Sequence, residues 1–135
     1  MMKWMWLASA GAAGTLARYG LAELAPKAVQ RFGPWIGITN AQTFPWGTAT
    51  VNWVGCFLFG AIAALADHRM KLDQETKWIL LTGFMGAFTT FSTFAYESRN
   101  MLESQEWGML TVNILLQNAL GIFLIFLGWT VVCRW

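Results

Sequence analysis

The sequence predicts an all-α integral membrane protein, one domain over residues 1–135 with four transmembrane helices. Three observations point there. Hydrophobic residues make up 56% of the chain and charged residues only 12%, whereas soluble domains carry about 25% charged residues. A water-soluble fold of this length has too little interior for so much apolar surface. Charges are also absent from Phe44 to Ala66, from Trp78 to Tyr96 and from Trp107 to Cys133. A helix rising about 1.5 Å per residue crosses a hydrocarbon core about 30 Å thick in about 20 residues, and each stretch is of that size. Finally, Trp4, Trp6, Trp46, Trp78, Trp107 and Trp135 lie near the ends of the apolar stretches, where an amphipathic ring settles at headgroup level. Trp53 and Trp129 lie deeper and read as packing residues.

Span one covers about 4–25, apolar except for Arg18 and Glu23. Lys3 followed by an apolar stretch and "ASAGAAG" also resembles a signal peptide. Arg18-Tyr19 follows at membrane depth, however, and removal would leave three spans, so the segment is read as a helix that stays. Pro26 to Thr43 holds Lys27, Arg31 and Pro34 and reads as a loop with at most an interfacial helical turn. Span two covers about 44–66. The segment "DHRMKLDQETK" at 67–77 is the most charged part of the chain, and Asp73 to Glu75 suit a helix start, where the dipole favours anions. Span three covers about 77–97. A polar stretch to Glu106 leads to span four, about 107–132.

A net charge of +2 offers no basic patch for nucleic acid. Cys56 and Cys133 have neither zinc nor disulfide spacing. His68 sits in the charged loop, and no Ser/His or metal-ligand set suggests an enzyme. Four spans place the termini and the 67–77 loop on one side, with Lys3, Arg69, Lys71, Lys77 and Arg134; Lys27, Arg31 and Arg99 fall on the other. Orientation normally follows a clear Lys/Arg excess in cytoplasmic loops. So small a bias permits insertion both ways, and with it an antiparallel two-fold dimer. A four-helix protomer also has little interior for a pathway, and its glycines and hydroxyls suit helices that meet closely.

Polar side chains recur at membrane depth: Arg18; Thr48, Thr50 and Asn52; Thr89, Thr90, Ser92 and Thr93; Asn113, Gln117 and Asn118. Such groups face a partner or a water-filled path. Thr48 with Asn52, and Asn113 with Gln117, share a helix face at four-residue spacing. Both readings, interhelical glue and pathway, fit. The only acids near this depth are Glu23 and Glu97, towards span ends, and donors without acids suit an anion better than a cation.

The stretch "GFMGAFTTFSTF", 83–94, concentrates these features. Phe88, Phe91 and Phe94 form a drifting stripe, consistent with core packing. A phenyl ring also has a positive edge that can favour an anion without the tight binding that stops conduction. Gly83 and Gly86 either bring helices close or weaken this helix to a break, tolerated at membrane depth where the backbone lines a cavity. Carbonyls exposed there would suit a small hard cation.

These stretches resemble the Fluc (CrcB) fluoride channels over nearly the whole chain. "GAAGTLARYG" (11–20) is similar to the family's first-span glycine/Arg-Tyr motif, "GTATVNWVGCFLFG" (47–60) to its second-span pattern, and "GFMGAFTTFSTFAYE" (83–97) to its third-span signature. The resemblance implies an antiparallel dual-topology homodimer with two fluoride pathways. It also implies a central structural Na⁺ at a break in span three, held by the backbone carbonyls of Gly86 and Thr89 from both subunits. The paired rings would be Phe91 and Phe94, and the pore asparagine Asn52, with Thr48 one turn before it. Ser92 and Thr93 would supply hydroxyls, Arg18 would be the vestibule arginine, and Glu97 would match an acidic residue after the rings. Span four departs from the pattern: Asn113 stands where a tyrosine is expected and Gln117 where the first serine is expected.

The activity implied is passive, fluoride-selective efflux across a prokaryotic inner membrane, protecting the cell from fluoride without covalent chemistry. The rival is a small multidrug-exporter-like, dual-topology transporter, which needs a membrane-embedded glutamate in span one. The middle of that span, "ASAGAAGTLAR", has no acid.

Overall fold

The computed structural model describes residues 2–36 and 44–134, and every element in them is helical. Helix α1, Met2–Phe32, ends in a 3₁₀ turn, Gly33–Ile36. Helix α2, Trp46–Arg69, widens to π geometry over its last five residues, Leu65–Arg69. Helix α3, residues 74–88, and helix α4, Phe91–Glu103, are collinear in sequence but separated by two extended residues. Helix α5 runs Trp107–Arg134. Three stretches are long and apolar enough to cross a membrane: Trp46–Arg69, Gln74–Glu103 (α3 with α4) and Trp107–Arg134. Helix α1, at 31 residues, is long enough, but its Gly, Ala, Ser and Thr content and Arg18 make it less apolar than these.

Three boundaries differ from the sequence reading, the first being the end of span three, expected near 97 but carried by α4 to Glu103. Helix α1 does not end at Pro26 but continues to Phe32. Proline cannot donate to the carbonyl four residues back, here that of Ala22. The start of α2 packs against that carbonyl, so closely that a Cβ on Gly47 would lie 2.8 Å from the Ala22 oxygen. Tertiary packing thus carries the helix through the proline. The remainder of the expected loop, 37–43, and the anchor Trp135 lie outside the described residues. At the other end of α2, Asp67, His68 and Arg69 are helical rather than loop, because the Met70 N–H reaches back to the Leu65 carbonyl (2.9 Å) and the Leu72 N–H to that of Ala66 (2.9 Å). The expected start at Asp73 is present: its carboxylate accepts the Glu75 N–H (3.1 Å), the Thr76 N–H (3.3 Å) and the Thr76 hydroxyl (2.6 Å).

Glycines set the packing distances. A side chain on Gly60 would collide with the Ile125 carbonyl, and one on Gly128 with the Phe57 carbonyl, so α2 and α5 cross backbone to backbone. Gly14 gives α1 the same approach to Phe84 in α3. Small residues replace the hydrophobic effect as the cause of close contact where the solvent is itself apolar. Between these seams lie buried Val51, Met85 and Phe88, covered by Leu21, Leu58 and Phe84 among others. Trp53 is a packing residue as expected, stacked on Phe44 at 6.4 Å. Trp129 is half-buried and packs as well, meeting the exposed His68 edge-on at 5.3 Å.

Candidate functional site: an amide-lined cavity at a helix break

Helix α3 ends with the Thr89 N–H on the Met85 carbonyl (3.1 Å). Thr89 (φ −81°, ψ 158°) and Thr90 (φ −146°, ψ 106°) are extended, and α4 begins at Phe91. β-Branched threonine tolerates this backbone well, and its hydroxyl caps what the break opens. The Thr90 Oγ1 accepts the Thr93 N–H (3.4 Å) and pairs with the Thr93 hydroxyl (2.8 Å), while the Thr89 hydroxyl returns to the Met85 carbonyl (3.2 Å). On α2, Gly55 leaves the space in which the Thr89 methyl and the Phe88 ring sit. The break therefore falls at the threonines and not at the glycines. Gly86 remains helical (φ −64°, ψ −33°), and Gly83 packs against Leu7 and Ala10 of α1.

Asn52 closes the break from the side. Its Oδ1 accepts the Thr90 N–H (2.9 Å), and its Nδ2 donates to the Thr90 carbonyl (3.2 Å) and to Gln117 Oε1 (2.9 Å). From there a chain of side chains continues. Gln117 Nε2 donates to Asn113 Oδ1 (2.7 Å), Asn113 Nδ2 to Ser98 Oγ (3.1 Å), and the Ser98 hydroxyl to the Phe94 carbonyl (2.8 Å). Asn113 is fully buried and Gln117 nearly so. Buried amides are tolerated because they satisfy one another.

On the open side of this chain lies a cavity of about 290 Å³ whose lining includes Asn52, Thr89, Thr90, Phe91, Phe94 and Gln117. None of its lining residues is charged. The phenylalanine stripe divides here. Phe88 packs in the core beside Val51 and Met85, whereas Phe91 and Phe94 meet in the cavity wall, ring centroids 5.6 Å apart at 50°. Phe94 is buried, but Phe91 is 77% exposed.

The remaining sequence candidates sit elsewhere. Thr48 donates to Glu97 Oε1 (2.6 Å), and the pair lines a second groove, together with Pro26, Trp46 and Gly47. Asn113 stands behind Gln117 rather than in the cavity lining. Arg18 is half-buried, makes no hydrogen bond or ion pair with another described residue, and is not in the cavity wall. Ser92 is exposed, and Thr93 serves the Thr90 cap. Ser98, absent from the candidates, ends the amide chain. Its position four residues after Phe94 is the only sequence signal for it.

The backbone at the break offers oxygens. The Thr90 N–H, four residues after Gly86, goes to Asn52, and the Thr93 N–H, four after Thr89, goes to the Thr90 hydroxyl. The carbonyls of Gly86 and Thr89 thus lose their usual helical donors. A hard cation takes neutral oxygens of this kind, and among the described residues no His/Cys/Asp/Glu group is arranged to hold a metal.

Comparison with known proteins follows the same lines. The family model described as CrcB-like protein, Camphor Resistance (CrcB), matches residues 5–129. A Fluoride-specific ion channel FluC from Nitrosococcus oceani is 48% identical over 129 residues, covering 96% of this chain and 94% of the relative. A protein of the same name from Solidesulfovibrio magneticus is 48% identical over 122 residues, 90% of this chain and 89% of the relative. Another, from Nitratidesulfovibrio vulgaris (Miyazaki F), is 44% identical over 128 residues, covering 95% and 94%. The match extends across the helices that build the break, the amide chain and the cavity, and the chain belongs to the CrcB family.

Proposed function

We propose that this protein is a fluoride-selective channel that lets the ion leave the cell passively down the membrane potential. The observation that carries the reading is the uncharged cavity in which the rings of Phe91 and Phe94 meet the amides of Asn52 and Gln117 and the hydroxyls of Thr89 and Thr90. Fluoride is small and strongly hydrated, so a pathway must replace its water with donors at each step. Amide N–H, hydroxyl and positive ring edge do so without a fixed charge that would hold the ion. Chloride is larger and is refused by narrowness. No bond is made or broken, and no enzymatic step is involved.

The working unit is an antiparallel homodimer of four-span protomers in the prokaryotic inner membrane, with two fluoride pathways. Support comes from Phe91, a ring left 77% exposed beside the break, and from the near-balance of Lys/Arg across the loops. A second copy would cover the cavity's open side. The Gly86 and Thr89 carbonyls of both copies would hold a structural Na⁺, which would supply positive charge at the helix break. Thr48, Ser92, Thr93 and Arg18 belong to the approaches to the path, and Asn113 to its support.

Purified protein in liposomes loaded with KF tests the reading. On addition of valinomycin, fluoride should leave rapidly and chloride should not. Absence of fluoride efflux sinks the proposal. Dialysis into Na⁺-free buffer should lower the flux, and full flux there removes the Na⁺ from the account.

A further inference from the structure

We propose that the groove between the starts of α1 and α3 seats an anionic phospholipid, its phosphate on Lys3 and an acyl chain along Leu7 and Ile79. The inference goes beyond the channel reading and needs only that the chain lies in a bilayer. Three contacts define one end of the bundle. Lys3 Nζ stands 4.5 Å from the centre of the Trp78 ring, Lys77 pairs with Asp67 (2.5 Å), and His68 meets Trp129. The start of α1, the end of α2, the start of α3 and the end of α5 are therefore together. Lys3, Arg69, Lys71, Lys77 and Arg134 all fall at this end. Of the acids there, Asp67 is neutralised by Lys77, Asp73 is occupied by the cap of α3, and Glu75 is not in the groove wall.

The groove, about 240 Å³, is lined by Lys3, Trp4, Leu7, Trp78, Ile79 and Thr82. No acid is among them, and the half-buried Lys3 makes no ion pair with a described residue. Leu7 lies four residues inward of Lys3, and Thr82 four inward of Trp78, so the groove runs about 6 Å towards the bilayer core. There the seam closes, where Gly83 packs against Leu7 and Ala10. The wall is thus sorted by depth. Ammonium and indole stand at headgroup level, where interfacial Lys and Trp settle, and aliphatic side chains follow at the depth of an acyl chain. An ammonium has three N–H donors. The ring covers one side of Lys3 and holds it over the groove by cation–π attraction, so less side-chain freedom is lost when a phosphate binds. A zwitterionic headgroup fits less well. Lys3 already occupies the face of Trp78 that a choline would use, and no carboxylate in the wall receives one.

The full chain, purified in detergent, titrated with phosphatidylglycerol or with phosphatidylcholine of the same acyl chains and read by native mass spectrometry, tests this. The wild type should retain phosphatidylglycerol and release phosphatidylcholine. Lys3→Gln should weaken retention of the anionic lipid about fivefold, the scale of one lysine at a lipid surface. Trp78→Leu, which keeps apolar bulk and frees Lys3 from the ring, should weaken it as well. Lys71→Gln, at an exposed position outside the groove wall, should not. Excess inorganic phosphate should fail to displace the lipid, because it lacks the chain that Leu7 and Ile79 hold; displacement would mean a free-anion site and overturn the lipid assignment. Equal retention of the two lipids, or equal loss in Lys3→Gln and Lys71→Gln, contradicts the proposal. Retention of neither lipid overturns it in favour of a groove that a second copy covers. None of these measurements involves fluoride, so their failure and that of the channel reading are separate results.

Discussion

At the residue scale, neighbouring residues of one type do different work because of what they face. Phe88 is buried beside Met85 and Val51, whereas Phe91, three residues on, is mostly solvent-accessible in the protomer. The intervening break turns a helical stripe into two unrelated directions. If the rings act through their edges, Phe91→Ile or Phe94→Ile keeps apolar bulk and loses the electropositive rim. With ring contacts worth about 1 kcal/mol, fluoride flux should fall about fivefold or more while the proposed dimer survives size-exclusion chromatography. Unchanged flux in both variants would relegate the rings to packing. The residue types at the site were legible in the sequence: amides, hydroxyls and rings at membrane depth, with acids only near span ends. Their pairings were not. Asn52 meets Gln117 across 65 positions, and nothing in periodicity sets the register between two helices that cross through glycines. Ser98 was missed for the same reason, since its partner Asn113 lies on another helix.

At the element scale, the helices are placed by small residues and by caps. Gly60 and Gly128 bring α2 and α5 to backbone contact. Gly128→Leu must push them apart, at a cost of about 1–3 kcal/mol for overpacking. It should lower the unfolding temperature followed by tryptophan fluorescence, whereas Gly108→Leu, at a position with open space around it, should not. Equal effects would mean that the Gly128 seam has no special role. The start of α3 offers a pH test outside the membrane. The Thr76 hydroxyl and N–H, with the Glu75 N–H, hold the Asp73 carboxyl below its ordinary range. The cap's contribution is therefore fully present above the unfolded carboxylate pKa and is lost as pH falls through the lowered one. Stability of the wild type should drop more on acidification than that of Asp73→Asn; parallel curves would show the cap to be inert. Helix existence was readable from charge-free stretches, and this cap from Asp73 itself. The ends of α1 and α2 were not, because packing at Gly47 overrides a proline and π-type bonding absorbs charged residues.

At the scale of the whole molecule, the protomer leaves its cavity open and its exposed ring without cover. The antiparallel dimer would complete both. Several lysines added to one terminus should force a single orientation and abolish most flux if both orientations are needed; undiminished flux would favour a parallel assembly or a working monomer. Composition made the membrane legible at once, whereas quaternary arrangement depends on a surface that a single chain only hints at. The central claim is that an uncharged wall of amides, hydroxyls and ring edges passes fluoride and refuses chloride. The most direct test is the reversal potential of single channels in a planar bilayer with KF on one side and KCl on the other. The account predicts a potential that follows the fluoride gradient and ignores the chloride gradient. A reversal near zero with equal concentrations of the two salts, meaning equal permeability, would contradict it.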